Sequence, residues 1–112
     1  MERIFHPHAH EMNIEVVEMQ ILNTAKWLSQ SIAGLSWYLF GSSLRNISKA
    51  NDIDILITHN QVQESSMIRD HLKSFVLTLP VHLVLLTEQE EIELKFVQTQ
   101  GCKRIFPPYD SH

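Results

Sequence analysis

Two aspartates, Asp52 and Asp54, alternate with isoleucines in an apolar run that ends at Ile57. Side chains alternate along a β-strand, so both carboxylates project from one face, roughly 7 Å apart, and the isoleucines project from the other. Two anions at this spacing repel each other unless a cation binds them, and carboxylate oxygens suit hard divalent ions. The pattern therefore predicts a divalent cation site with Asp52 and Asp54 as ligands and Mg²⁺ as the expected ion.

A glycine-serine turn precedes this pair of aspartates. Gly41, Ser42 and Ser43 follow the aromatic run 37–40, a predicted strand that ends at the glycine. Glycine lets the backbone approach a ligand closely, and backbone N–H groups together with serine hydroxyls can bind phosphate oxygens. Carboxylates beside a phosphate-binding turn suit a nucleoside triphosphate bound through a metal ion, with in-line attack by a hydroxyl on one phosphorus atom.

The elements that must position these residues follow from hydrophobic spacing and from turn residues. In chain order we predict a helix over 14–32, a strand over 37–40, a turn and loop over 41–51, a strand over 52–58, a helix over 62–79, a strand over 81–86, a helix over 87–101 and a strand over 103–106. Thr87 and Glu90 form a capping-box pattern at the start of the last helix. This order predicts an α/β (α+β) fold, a small mixed sheet with helices mainly on one face.

Length, charge and cysteine content limit the class of protein. We expect residues 1–112 to form a single domain with loose termini at 1–10 and 107–112. The formal net charge of −4 argues against binding to nucleic acid backbones, and no apolar run approaches the ~20 residues that span a bilayer. A single cysteine, Cys102, excludes an internal disulfide, and we expect a cytoplasmic protein.

The runs 39–46 (Leu-Phe-Gly-Ser-Ser-Leu-Arg-Asn) and 51–57 (Asn-Asp-Ile-Asp-Ile-Leu-Ile) resemble the signature of minimal nucleotidyltransferases in the DNA polymerase β-like superfamily. The resemblance covers the central half of the chain, and the order of helices and strands also matches. It implies that Gly41 and Ser42, with Ser43 and Arg45 as further candidates, bind the triphosphate. It also implies that Asp52 and Asp54 bind Mg²⁺, with Mn²⁺ as the alternative ion.

The main departure of the chain from this family pattern is at position 82, besides Asn46 where the family often has glycine. Family members carry a third carboxylate on the next strand, where this sequence has His82 within Val-His-Leu-Val. Histidine can act as a general base and can bind manganese or zinc through nitrogen, but it is a poor Mg²⁺ ligand and brings no negative charge. Glu88, Glu90 or Glu91 could replace the missing acid only by reaching back to the strand.

These residues lead to two hypotheses of different class. The first is a metal-dependent nucleotidyltransferase, with Asp52, Asp54 and His82 as catalytic residues, that moves AMP from ATP to a hydroxyl of a protein or small molecule. Resemblance to similar small proteins implies a partner such as an all-helical HEPN protein, in a toxin-antitoxin pair, or else a homo-oligomer. The second is a catalytically impaired binding or oligomerisation module that has lost the third carboxylate.

Overall fold

The computed structural model describes residues 14–41 and 53–108, which form five helices and four strands. In chain order these are α1 (Ile14–Ser29), β1 (Ser36–Phe40), β2 (Ile53–His59), α2 (Glu64–His71), α3 (Lys73–Thr78), β3 (Val81–Thr87), α4 (Glu88–Leu94), α5 (Phe96–Gln100) and β4 (Lys103–Phe106). In these two ranges no helix is both long enough and apolar enough to cross a membrane.

The four strands form one mixed sheet in the order β3-β2-β1-β4. Strand β1 pairs antiparallel with both β2 and β4, whereas β2 pairs parallel with β3. A parallel pair needs a long crossover connection, which α2 and α3 supply between β2 and β3. The predicted α/β (α+β) class with a mixed sheet is confirmed.

The main core lies between one face of the sheet and helices α1, α2 and α3. Ile53, Ile55 and Ile57 of β2 are fully buried on this face, as the alternation in the sequence predicts. Ile21 and Leu28 of α1 pack against them. Because the odd-numbered residues of β2 are committed to the core, the even-numbered ones, including Asp54, face the other side of the sheet.

Helix α1 begins where the sequence predicts but ends at Ser29 rather than at Ile32. The N–H groups of Gln30 and Ser31 donate to carbonyls three residues back, at 3.2 and 3.0 Å, so the last turn is tightened beyond the regular helix. Ile32 is buried in this turn. Its place in the hydrophobic pattern therefore indicates that the residue is buried, not that it belongs to the helix.

Two helices predicted as continuous are each divided in the structure. The segment 62–79 turns at Leu72, whose side chain is fully buried in the core, and yields α2 and α3. The segment 87–101 turns at Lys95, which has a positive φ of 53°, and yields α4 and α5. The Glu91 carboxylate then accepts from the Val97 N–H at 2.9 Å, which caps the new helix. Hydrophobic spacing on both sides of each break is still helical, so periodicity alone does not reveal it.

The second face of the sheet is partly covered by α4 and α5. The capping box predicted at Thr87 is confirmed, since Thr87 Oγ1 accepts from Glu90 N–H at 3.0 Å and Glu90 Oε1 accepts from Thr87 N–H at 2.8 Å. Phe96 of α5 meets Phe40 of β1 edge to face, with ring centroids 5.1 Å apart. Helices α4 and α5 thus lie beside side chains that project from this face of the sheet.

Candidate functional site

Asp54 lies on β2, between β1 and β3, at the centre of the candidate site. It is paired in register with Phe40 on one side and with His82 on the other. Its side chain is 19% exposed on the face away from the main core. Because the strand that carries it is buried, this carboxylate is fixed in position, and part of it remains exposed to solvent.

His82 is the neighbour of Asp54 on the parallel strand β3. Its Nδ1 lies 3.1 Å from Asp54 Oδ1, and its side chain is 63% exposed. Residues at paired positions on adjacent strands project to the same face, which accounts for the contact. The structure therefore brings together Asp54 and the histidine that replaces the family's third carboxylate.

Gly41 borders the other side of Asp54, where strand β1 ends. It has a positive φ of 69°, and a Cβ placed on it would overlap Asp54 Oδ2 and lie 3.2 Å from Asp54 Cγ. The absence of a side chain at Gly41 thus makes the room that the carboxylate occupies. The two oxygens of Asp54 face two predicted site residues, Oδ2 facing Gly41 and Oδ1 facing His82.

Four of the predicted site residues lie outside the described ranges 14–41 and 53–108. These are Asp52, Ser42, Ser43 and Arg45. Their assignment to metal or phosphate binding stays a prediction.

The three glutamates considered as replacements for the third carboxylate have partners elsewhere. Glu90 caps α4 and Glu91 caps α5, as described above. With the Asn60 side-chain amide in the orientation that satisfies its hydrogen bonds, its nitrogen donates to the two carboxylate oxygens of Glu88, at 3.1 and 3.2 Å. Glu88 also follows the end of β3, six residues after His82, which corresponds to roughly 20 Å of extended chain. The hydrogen bonds described for the three glutamates lead to other residues, whereas His82 Nδ1 lies 3.1 Å from Asp54 Oδ1.

The donor atoms at this site fit a divalent cation. Asp54 supplies carboxylate oxygens, which Mg²⁺ and Mn²⁺ both accept, and His82 supplies a ring nitrogen. Among the residues that the structure describes, no three histidine, cysteine, aspartate or glutamate side chains form a metal cluster. A complete metal site therefore needs Asp52, phosphate oxygens or water in addition to Asp54 and His82.

Two other features contain none of the predicted site residues. A cavity of about 440 Å³ lies between α1 and α3, with Trp27, His71 and Phe75 among its lining residues. No sequence pattern predicted this cavity, and Trp27 beside it is 49% exposed. Burial, with a smaller contribution from Glu91, raises the pKa of Cys102 to about 11. Its thiol is therefore protonated at neutral pH and is a poor nucleophile.

The family known as the nucleotidyltransferase domain matches this chain over residues 18–105, more than three quarters of its length. The chain belongs to that family. The matched range includes Gly41, Asp54 and His82, and it runs from α1 into β4. No curated protein and no solved structure gives a significant match.

Membership supports nucleotidyl transfer as the general activity of this nucleotidyltransferase domain. The recognised resemblance to minimal nucleotidyltransferases is confirmed at the level of the family. The family match does not select the nucleotide, the metal ion or the acceptor.

Proposed function

We propose that this nucleotidyltransferase domain transfers AMP from ATP to a hydroxyl of a protein or small molecule in a metal-dependent reaction. The observation that carries the proposal is the arrangement of Gly41 just after the end of β1, Asp54 on β2 and His82 at the paired position of β3. A side-chain-free backbone position, a fixed carboxylate and an exposed imidazole thus lie together on the face of the sheet that α4 and α5 cover only in part.

Each residue has a defined task in this proposal. Gly41 lets the backbone at the end of β1 come close to the triphosphate, and Ser42, Ser43 and Arg45 bind its oxygens. Asp52 and Asp54 hold the divalent cation, Mg²⁺ or Mn²⁺. When bound, the cation neutralises charge on the phosphates and orients the phosphorus for attack.

His82 has two roles open to it in this reaction. Its outward position suits acceptance of a proton from the attacking hydroxyl, with the Asp54 carboxylate orienting the ring. Its contact with Asp54 also suits direct support of the cation in place of a carboxylate. If His82→Ala transfers label at the rate of the unsubstituted protein, the role as base is wrong.

A partner protein fits the small size of the domain. We propose an all-helical HEPN-type partner, adenylylated in a toxin-antitoxin pair, with a homo-oligomer as the alternative. Large apolar side chains exposed on α1 and α3, such as Trp27, Met19 and Leu77, support an interaction surface on this side. The acceptor hydroxyl, the partner and the cytoplasmic location stay predictions.

The test combines nucleotide binding with label transfer. Thermal unfolding of the full chain is followed with ATP and either Mg²⁺ or Mn²⁺, and transfer from α-labelled ATP to co-purifying proteins is measured in parallel. We expect stabilisation by ATP with metal, since a ligand that binds only the folded state raises its stability, and loss of this effect in Asp52→Asn and Asp54→Asn. Asp70→Asn, on the exposed side of α2, is the matched control.

The same experiment separates the two hypotheses about this chain. Stabilisation with label transfer supports the enzyme. No stabilisation at millimolar nucleotide and no transfer would favour the binding or oligomerisation module, which the histidine at the third acidic position supports. If ATP with metal stabilised Asp54→Asn as much as Asp70→Asn, the proposed nucleotide site would be wrong.

A further inference from the structure

Asp54 Oδ1 and His82 Nδ1 lie 3.1 Å apart on paired positions of two parallel strands. A hydrogen bond accounts for this distance, but so does a shared metal ion. Two adjacent ligands ~2.1 Å from an octahedral ion lie ~3.0 Å apart, whereas two ligands of a tetrahedral ion lie ~3.4 Å apart. In length, the observed separation matches two adjacent ligands of an octahedral ion, and a rotation of the imidazole ring would direct both atoms at one ion.

Backbone pairing holds the two side chains at this spacing. Asp54 and His82 belong to a register that continues through all seven residues of β2 and β3. Asp54 is further confined by Gly41, because the Oδ2 atom occupies the place of the missing Cβ. A ligand pair that is already positioned loses little conformational freedom on binding an ion.

The chemistry of the pair differs from that of two carboxylates. Mg²⁺ binds hard oxygen ligands and gains little from imidazole nitrogen. A first-row transition ion accepts both nitrogen and oxygen, and Mn²⁺ does so with octahedral geometry. An imidazole in place of a carboxylate also removes one negative charge from the site. This loss weakens the binding of Mg²⁺, which is mainly electrostatic, more than the binding of a transition ion that also accepts nitrogen.

We propose that His82 binds the metal directly through Nδ1, together with Asp54, and that it shifts the ion preference of the site from Mg²⁺ toward octahedral transition ions, represented by Mn²⁺. The inference rests on the proposed function, since it concerns the same cation. It makes His82 a specificity-determining ligand and excludes Nδ1 from proton transfer while the ion is bound.

The test measures the binding of Mn²⁺ and Mg²⁺ alone to the full chain. The free Mn²⁺ signal in electron paramagnetic resonance gives the Mn²⁺ affinity, and competition by Mg²⁺ gives the second affinity. In the unsubstituted protein we expect a clear preference for Mn²⁺. In His82→Asp, Mg²⁺ binding should strengthen and the ratio of the two affinities should fall about tenfold, because a hard oxygen replaces the nitrogen.

Two further variants and one spectroscopic measurement complete the design. His82→Ala should weaken Mn²⁺ more than Mg²⁺, because it loses a nitrogen ligand. His71→Asp adds the same charge at an exposed helical histidine, and we expect the ratio to stay as in the unsubstituted protein. Nitrogen hyperfine coupling to the bound Mn²⁺ in pulsed electron paramagnetic resonance, present in the unsubstituted protein and lost in His82→Ala, provides a readout that a merely structural role would not produce.

The outcomes distinguish this inference from the proposed function. An unchanged affinity ratio in His82→Asp, with Mn²⁺ binding still lost in Asp54→Asn, overturns the role of His82 alone. Undiminished Mn²⁺ binding in Asp54→Asn overturns the metal site itself, and with it the proposed function. The His82 side chain is 63% exposed, so we expect its variants to fold, and circular dichroism checks the fold of each variant.

Discussion

At the scale of single residues, Gly41 and Gly101 offer a matched comparison. Both have a positive φ, 69° and 63°, which ordinary side chains rarely adopt. A Cβ at Gly41 would overlap the Asp54 carboxylate, whereas a Cβ at Gly101 would have no neighbour within 4 Å. The two glycines therefore share a backbone requirement, but only Gly41 also makes room for a functional side chain.

Gly101→Ala should lower the free energy of unfolding by about 1 to 2 kcal/mol, the cost of a left-handed residue with a side chain. Gly41→Ala carries the same cost and also displaces Asp54, so we expect a larger loss of stability and weaker Mn²⁺ binding. Urea unfolding and Mn²⁺ titration measure the two effects. If the two variants lost equal stability and bound Mn²⁺ equally well, Gly41 would not act by making room for Asp54.

At the scale of secondary structure, the junction of β3 and α4 is set by Thr87. This residue ends the strand, its side chain is buried, and its hydroxyl and backbone take part in the capping box with Glu90. The box satisfies two backbone N–H groups at the start of a short helix. The Glu90 carboxylate is therefore bound at the start of α4. This is one reason why it does not take the place of an acid at position 82, beside Asp54.

Thr87→Ala should lower the free energy of unfolding by about 1 kcal/mol, because it removes the cap from α4. The control is Thr78→Ala, where an exposed hydroxyl donates to the Ser74 carbonyl within α3 and a change within about 0.5 kcal/mol is expected. Both are measured by urea unfolding. A loss at Thr78 as large as that at Thr87 would contradict the importance of the cap.

At the scale of the whole molecule, stability depends on one layer of helices against one sheet. Leu28 of α1 is 0% exposed and belongs to the core, whereas Leu77 of α3 is 86% exposed. Replacing leucine by alanine at each of these positions separates the effect of burial on stability from the effect of helix propensity. A core of this size has little reserve, because small domains bury a smaller fraction of their surface.

Leu28→Ala should destabilise the protein by about 2 to 5 kcal/mol through lost burial and the cavity left behind. Leu77→Ala should change stability by no more than about 0.5 kcal/mol. Thermal unfolding, which monitors the cooperative transition, measures both. A large loss at Leu77 would instead indicate that this side chain is covered in the protein in solution, for example by a second copy of the chain.

The sequence predicted most of the elements because their causes are local. Alternation around Asp54 indicated which face of β2 is buried, and the Thr87 pattern indicated the start of α4. The breaks at Leu72 and Lys95 were missed, because hydrophobic spacing continues across them and each break depends on packing and on the Glu91 cap. Local patterns predict elements well and their interruptions poorly.

By itself, the sequence determined the residue types of the candidate site, the face on which Asp54 lies and the family to which the chain belongs. The resemblance to nucleotidyltransferases made His82 an expected site residue, but only the tertiary structure shows its contact with Asp54. His82 is 28 residues away along the chain, and its contact with Asp54 exists because the crossover between β2 and β3 sets their parallel register. A register between distant strands depends on the packing of the whole sheet, so no local pattern encodes it.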